Sequence, residues 1–477
     1  MRTQATKPTG VEQKFEANEM FFSTTDSKGV ITAGNPVFAR VSAYSIEEMI
    51  GQPHNLIRHQ DMPRAVFKEL WDTIRTGGLF LGYVKNHAKG GNHYWVFASV
   101  IPIQDGYLSI RFKPSERGIA AAAELYARML EEERRADDGD SMERARETLL
   151  QHLGSNNYRS YESFSRAMLA QEIRNRDEEI GRKGLALFPR ELKSSSAAGI
   201  HELFRKSTSI YDTLTELSRD LEAFSGINLK IQEKGQAIVR KADNFRFSAV
   251  NAHIASDPLG AKGAPLSTVA RFLDVYSRNL SGNVVLLAKD IGTIAQVLEN
   301  VTTHISTTRL VLEMSLYYQA EMGAETRDGV RVFKILKDLV DAIETLHEAT
   351  TKELAALQGR LPQITGKNDE LRKDIISLQV AQLSGMTEAV RIPEAESIRT
   401  MMQDFRAEVD QAVQELGYLA DTVELLQDVT NTTPPRLKKI REELDAIRGL
   451  LAALFQGAEG DASHPGAEAD ARVRQLG

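Results

Sequence analysis

Residues 51–63 read Gly-Gln-Pro-His-Asn-Leu-Ile-Arg-His-Gln-Asp-Met-Pro, crowding His54, Arg58, His59 and Asp61 into one segment ahead of an amphipathic run. A guanidinium, two imidazoles and a carboxylate at this spacing can hydrogen-bond or charge-pair a polar ligand. A lone Arg or Asp in a short segment is ordinarily solvated or ion-paired at the surface. These residues are set apart by their company: Trp71 on the next amphipathic run, then Val84-Lys85-Asn86 and His93-Tyr94-Trp95-Val96-Phe97. No catalytic constellation accompanies them. There is no Gly-x-x-x-x-Gly-Lys-Ser/Thr loop, no Gly-x-Ser-x-Gly elbow and no His-Glu-x-x-His pair, so the chain is expected not to be an enzyme. Cysteine is absent, which excludes disulfides, thiolate zinc sites and cysteine nucleophiles. His253 and His304 are isolated on helical patterns, where packing or surface roles are the ordinary ones.

The elements that must position these groups follow from local patterns. Residues 20–25 and 30–32 read as a hairpin turned by Asp26-Ser27-Lys28-Gly29. Asn35-Pro36 opens a short helix, since Asn caps and Pro fits the first turn. Ser45 with Glu48 is a capping-box pattern for another. Over residues 63–76, Val66, Phe67, Leu70, Trp71 and Ile74 form one apolar helical face, which Gly77-Gly78 ends. Strands are expected at 79–86, 93–103 and 107–112, joined by Lys89-Gly90-Gly91-Asn92 and Gln104-Asp105-Gly106.

Over about residues 23–114, a fifth of the chain, this order of motifs resembles the flavin-binding PAS domain of bacterial aerotaxis receptors. The resemblance implies an α+β domain, a five-stranded antiparallel sheet with short helices across one face, and FAD as cofactor. A flavin needs an apolar slot, hydrogen bonds to its ring edge and polar groups for its phosphate arm. By the family's motif, Arg58, His59 and Asp61 belong to the cofactor-binding segment, while Asn35, Trp71 and Asn86 line or support the cavity. Trp71 serves equally as core packing. Gln60 departs from the family's Pro, and the lack of cysteine removes flavin–cysteinyl photochemistry. His93 and Tyr94 are read as sheet residues, and His54 and His87 as surface or packing residues.

Beyond Pro114, Leu, Ala, Glu and Arg dominate and an all-α region is expected. A charged helix over 120–150 is interrupted near Asp137-Asp138-Gly139-Asp140, and 182–200, with Pro189 and Ser194-Ser195-Ser196, reads as a connector. Ile210, Leu214, Leu217, Leu221 and Phe224 specify a coiled-coil seam that continues to Ile231 and Ile238. A second seam runs from Val269, Leu273, Tyr276 and Leu280 through Val284, Leu287, Ile291, Ile294, Leu298 and Val301. The break at 257–265 between them predicts an antiparallel hairpin, each seam needing the other arm or a second chain. The hairpin resembles, in degenerate form, the signalling tip of methyl-accepting chemotaxis receptors: Asn251-Ala252, Gly260, Gly263 and Val269-Ala270 keep the spacing, while Ala255, Pro258 and Pro265 depart from it. Further helices are expected over 329–361, 368–383, 394–429 and 435–455, separated by Pro362, Gly366, Pro393 and Pro434-Pro435. The domain reading is 1–17 flexible, 18–115 PAS, 116–206 helical linker, 207–316 hairpin, 317–456 helical bundle and 457–477 disordered tail.

The net charge of −7 and the lack of a basic stripe argue against a nucleic-acid partner. No apolar window approaches the roughly twenty residues of a membrane span, and residues 1–14 lack a secretory core, so a soluble, cytoplasmic protein is expected. The reading is a redox or oxygen sensor that relays through its helices. It is expected to be a homodimer through the seams, with the chemotaxis histidine kinase and its coupling adaptor as partners. The alternative is a PAS and helical scaffold that has lost its cofactor. A third reading fills the cavity with haem, ligated by His59 or His93, or with a metabolite.

Overall fold

The computed structural model describes residues 8–135, 140–156, 158, 160–188, 192, 198–222, 227–322 and 329–462. The break expected at 137–140, the Pro189 and Ser194–Ser196 portion of the connector, Phe224, and the tail beyond 462 fall largely or wholly outside them.

The N-terminal strands are β1 Phe21–Asp26 and β2 Ile31–Gly34, followed by the short helices α1 Pro36–Ser42 and α2 Ile46–Met49. A 3-10 turn at His54–Ile57 leads into α3 Arg64–Arg75, and β3 Phe80–His87, β4 His93–Ile103 and β5 Gly106–Phe112 complete an antiparallel five-stranded sheet in the order β2-β1-β5-β4-β3. This is the PAS layout. The first turn forms because the Asp26 carboxylate accepts from Lys28 N and Val30 N at 2.8 and 2.9 Å. Gly29 closes it at φ +82°, where a Cβ would meet the Trp71 ring at about 3.0 Å. Ser45 and Glu48 make the reciprocal capping box of α2.

Strand alternation gives the sheet two different faces. Val84, Asn86, Ala98, Val100, Tyr107, Ser109 and Arg111 face α1–α3 and line a cavity. Phe22, Tyr83, Trp95, Phe97 and Phe112, all buried, take the other face and pack on helices contributed from later in the chain.

The helices that follow the sheet are α4 Glu116–Arg135, α5 Ser141–Ser155, α6 Tyr161–Lys183, α7 Ala198–Glu222, α8 Ile227–Ser256, α9 Ala264–Met322, α10 Gly329–Arg391 and α11 Glu396–Ala462. Tyr126 of α4 donates to the Tyr83 carbonyl at 2.8 Å and stacks on Trp95. The buried Glu172 of α6 accepts from Tyr83 Oη at 2.7 Å and from the Ser115 amide and hydroxyl at 2.6 and 2.9 Å. Arg176 forks onto Glu313 of α9 and gives its Nε to the Ala17 carbonyl at 2.8 Å. Tyr318 meets Phe22 edge-on.

The contacts divide the chain into two compact units, one of residues 1–218, 303–349 and 438–477 and one of 219–302 and 350–437. Within the second, α8 runs antiparallel to α9, with Arg246 paired to Asp274 and Ser256 to Ser267 around the break at Asp257–Gly263. Asn283–Asp374, Gln382–Met402 and Phe245–Phe405 then join α9 to α10, α10 to α11 and α11 to α8, which makes a four-helix bundle. Leu280, Val284, Leu287 and Ile291 are fully buried there. The seams therefore find their partners within one chain, which removes the reason for expecting a second copy to cover them.

Pro393 separates α10 from α11 as expected, but Pro362 lies inside α10 and Pro434-Pro435 inside α11, so these three prolines do not end a helix. Each costs a backbone hydrogen bond and a steric clash, about 3 kcal/mol. The buried stripes on either side, Leu357, Leu361 and Ile364 in α10 and Leu426, Val429 and Leu437 in α11, offset that cost and carry the helices through. Among the described residues, no helix is long and apolar enough to cross a membrane.

Candidate functional site

The cavity between the sheet and α3 has a volume of about 310 Å³, at the small end of small-molecule pockets. Phe67, Leu70, Trp71 and Ile74, at helical spacing on α3, form one apolar wall, and Val84, Ala98 and Val100 of the sheet form the opposite one. Polar groups enter from the side: Asn86, Ser109, Arg111, His54 and Arg58.

Arg58 and Asn86 meet because residues 58–59 pair with the edge strand. Arg58 bridges Asn86, and His59 N donates to the Lys85 carbonyl. The Arg58 guanidinium lies over the Phe67 ring at 4.2 Å and donates to the Met62 carbonyl. Asn86 is buried, and among the described residues its Nδ2 has no hydrogen-bond partner; the buried Ser109 Oγ has none either. A buried amide or hydroxyl left unpaired costs on the order of 1–3 kcal/mol. Two residues with such groups lining an apolar slot fit a flat ligand with a polar edge, and a flavin ring is of that kind.

Arg111 is 3% exposed, yet no carboxylate pairs with it among the described residues. Its guanidinium donates to Ser23 Oγ at 3.0 Å and to His54 Nε2 at 2.7 Å, and lies over the Phe38 ring. For His54 Nε2 to accept, the imidazole must be neutral. Burial, and then the Arg111 charge, push its pKa down to about 3. Burial lowers Arg111 only to about 10, so the guanidinium stays charged at neutral pH.

Of the six residues carried over from the family motif, Arg58, Trp71 and Asn86 line the cavity; Asn35, His59 and Asp61 are not among its lining residues. Asn35 is the N-cap of α1. Its Oδ1 accepts from Phe38 N and Phe22 N, and its Nδ2 donates to the Met20 carbonyl. His59 sits beside His93 and accepts the Asp61 amide at Nδ1. Burial, then the Lys85 charge, lower it to about 4. Asp61 is ion-paired with Lys85 at 2.7 Å, and although burial opposes it, the Lys85 hydrogen bond and charge hold its carboxyl below the usual range. These two residues brace the segment that delivers Arg58 to Asn86.

His54, read from the sequence as a surface or packing residue, lines the cavity, and so do Ser109 and Arg111, which the motif does not include. The signal was present in β5, where Gly-Tyr-Leu-Ser-Ile-Arg-Phe alternates a wholly apolar row with Tyr107, Ser109 and Arg111. A cation on the inward row of a central strand marks a polar cavity.

Residues 31–109 match the PAS fold family. Over 109 residues, the sequence is 45% identical to the aerotaxis receptor of Escherichia coli (strain K12), covering 22% of this chain and 22% of the receptor. Over 88 residues it is 30% identical to the nitrogen fixation regulatory protein of Klebsiella pneumoniae, 18% of each chain. The chain thus matches only about a fifth of the length of these relatives. Among solved structures, the PAS domain of a protein from Colwellia psychrerythraea is 24% identical, with a TM-score of 0.19, covering 20% of this chain and 85% of that one.

Proposed function

We propose that the chain is a non-catalytic signal-transduction protein that senses redox state or oxygen through FAD in its PAS cavity and passes the cofactor's state to its helices. The observation that carries this reading is the apolar slot lined by Asn86 and Ser109, whose buried Nδ2 and Oγ have no hydrogen-bond partner among the described residues. The 45% identity of this domain to that of a protein named aerotaxis receptor supports it. Phe67, Leu70 and Trp71 would flank the ring, Asn86 and Ser109 would bond its edge, and Arg58 would meet its polar substituents. The bound flavin supplies electron exchange; the chain supplies the slot and the hydrogen bonds.

The route out runs through one strand. On β3, Asn86 faces the cavity, while Tyr83 faces away and donates to Glu172 of α6. A change in what Asn86 bonds biases the strand, and through Tyr83 and Glu172 the helices, by no more than the ligand's differential interaction with the two states. In its full form the proposal delivers the signal from a homodimer in the cytoplasm to the chemotaxis histidine kinase and its coupling adaptor. Because the seams are buried within one chain, that dimer would use other surface.

The test is an absorption spectrum of the purified full-length protein, with and without dithionite, beside Asn86→Ala. Bands near about 375 and 450 nm that bleach on reduction, and weaken in the variant, are expected. A protein that stays colourless after FAD supplementation sinks the reading and leaves the scaffold alternative; a haem-type spectrum redirects it to iron.

A further inference from the structure

Arg111 is the feature of the cavity that the flavin reading leaves unexplained. Burying a guanidinium without a counter-anion is unfavourable, because the lost hydration is not repaid. Here its neighbours are neutral: Ser23 Oγ, the Ser109 carbonyl, His54 Nε2 and the faces of Phe21 and Phe38. The register holds it in place, since Arg111 lies between Phe21 of β1 and Ala98 of β4 in the middle of the sheet. It cannot swing out to water as a surface arginine would, and it cannot discharge itself at physiological pH. What it lacks among the described residues is an anion, and it lines the cavity.

We propose that Arg111 is a fixed positive charge that makes this cavity bind the reduced, negatively charged flavin ring more tightly than the oxidised one, and so sets the potential at which the domain switches. The inference rests on the flavin reading. Reduction adds two electrons and one proton to the neutral oxidised ring and leaves one net negative charge. In the test the electrons come from dithionite, which is oxidised to sulfite, and the proton comes from solvent. Attraction between the guanidinium and that charge acts in a low-dielectric setting, where it is strongest. His54 has a positioning part: as a neutral acceptor it orients the guanidinium without neutralising it. An acidic residue in its place would have paired with Arg111 and removed the effect.

A flavin offers a second source of negative charge, the phosphates of its side arm, and the two are separable. A contact to phosphate strengthens oxidised and reduced flavin alike and leaves the potential where it was. A contact to the ring changes their ratio, and therefore the potential, by linkage.

The experiment is dye-coupled reductive titration of the full-length chain loaded with FAD, for the natural protein, Arg111→Gln and Arg111→Lys. In Arg111→Gln the ratio of reduced to oxidised affinity is expected to fall at least tenfold, a shift of about −30 mV for a two-electron couple; Arg111→Lys, keeping the charge, retains most of the ratio. Flavin held by Arg111→Gln at an unchanged potential overturns the inference while leaving the flavin reading standing, and affinity lost equally in both oxidation states assigns Arg111 to the phosphate arm and overturns it too. A natural chain that takes up no flavin fails at the earlier step, so the two failures are distinct. Should Arg111→Gln not fold, the natural protein decides: its bound FAD is expected to have a more positive potential than free FAD, and a more negative one overturns the inference.

Discussion

Asn35 holds three backbone groups at once, the amides of Phe22 and Phe38 and the carbonyl of Met20. Asn35→Ala is therefore expected to cost about 1–2 kcal/mol through the lost cap and the amides it strands. With FAD bound as proposed, its stoichiometry should stay unchanged; a variant with normal melting and weakened flavin binding would place Asn35 in the cavity's chemistry instead. His54 makes a pH prediction. Its pKa is pushed down to about 3, from an ordinary 6.5, so the folded protein keeps it neutral where the unfolded chain already takes up a proton. Its contribution to stability is complete above pH 6.5 and lost as pH falls toward 3, by up to about 2 kcal/mol at pH 5. Melting temperatures of the cofactor-free protein at pH 7.5 and 5 should fall more steeply than those of His54→Gln, and parallel curves would show that His54 does not titrate as described. At this scale the sequence was partly legible. Arg58, Trp71 and Asn86 could be picked out by motif and do line the cavity, whereas Arg111 was hidden because its role depends on what surrounds it. An arginine in a strand is usually a surface residue, and only the packing of α1 and the 3-10 turn over β1 and β5 makes this one an enclosed cation.

The short elements of the sheet domain were legible because their signals are local: an Asx-type turn at Asp26, a capping box at Ser45, Gly-containing hairpin turns. Helix α3 shows where locality ends. Pro63, at its N-cap, provides no side-chain acceptor, and the first amides of the helix are taken instead by the Glu133 carboxylate from α4, with Arg64 N at 3.1 Å and Ala65 N at 2.9 Å. No pattern within residues 60–76 announces a cap that comes from nearly seventy positions away. The same applies to Pro362 and Pro434-Pro435, whose local signal to break a helix is overridden by tertiary burial of the stripes around them. Long-range pairing is most consequential at Arg176 and Glu313, which join α6 to α9 with both side chains almost wholly buried. Removing one partner leaves an uncompensated charge in the interior, so Arg176→Met should cost about 3–5 kcal/mol. Pairing it with Glu313→Leu should recover much of that loss, because no charge is then left alone. A double-mutant cycle by chemical denaturation reads the difference, and simple additivity of the two substitutions would show that the ions do not act as a pair.

The PAS-fold domain is one contiguous stretch in sequence, but in the folded molecule its sheet is finished by distant chain. Its compact unit draws on residues 303–349 and 438–477 as well as everything before 219. The cause lies in strand alternation. The inward face carries the cavity and its polar row, while the opposite face carries Phe22, Tyr83, Trp95, Phe97 and Phe112, each at most 7% exposed. Those rings are covered by Tyr126 of α4, by α6 and by Tyr318 of α9. Leaving a large side chain exposed forfeits about 1.5–3 kcal/mol relative to burying it, and a contiguous apolar patch of that size invites association. A fragment of residues 1–115, the domain as its sequence delimits it, should therefore melt well below the full chain, bind an environment-sensitive apolar dye and sediment as oligomers. Extending it to residue 188 should suppress much of the dye signal, by restoring Tyr126 and Glu172, yet leave Arg176 without Glu313 and Phe22 without Tyr318. If the 1–115 fragment proved monomeric, dye-silent and as stable as the parent, the helices would be passengers on the sheet. A relay that depends on their packing against Tyr83 would then have no physical basis.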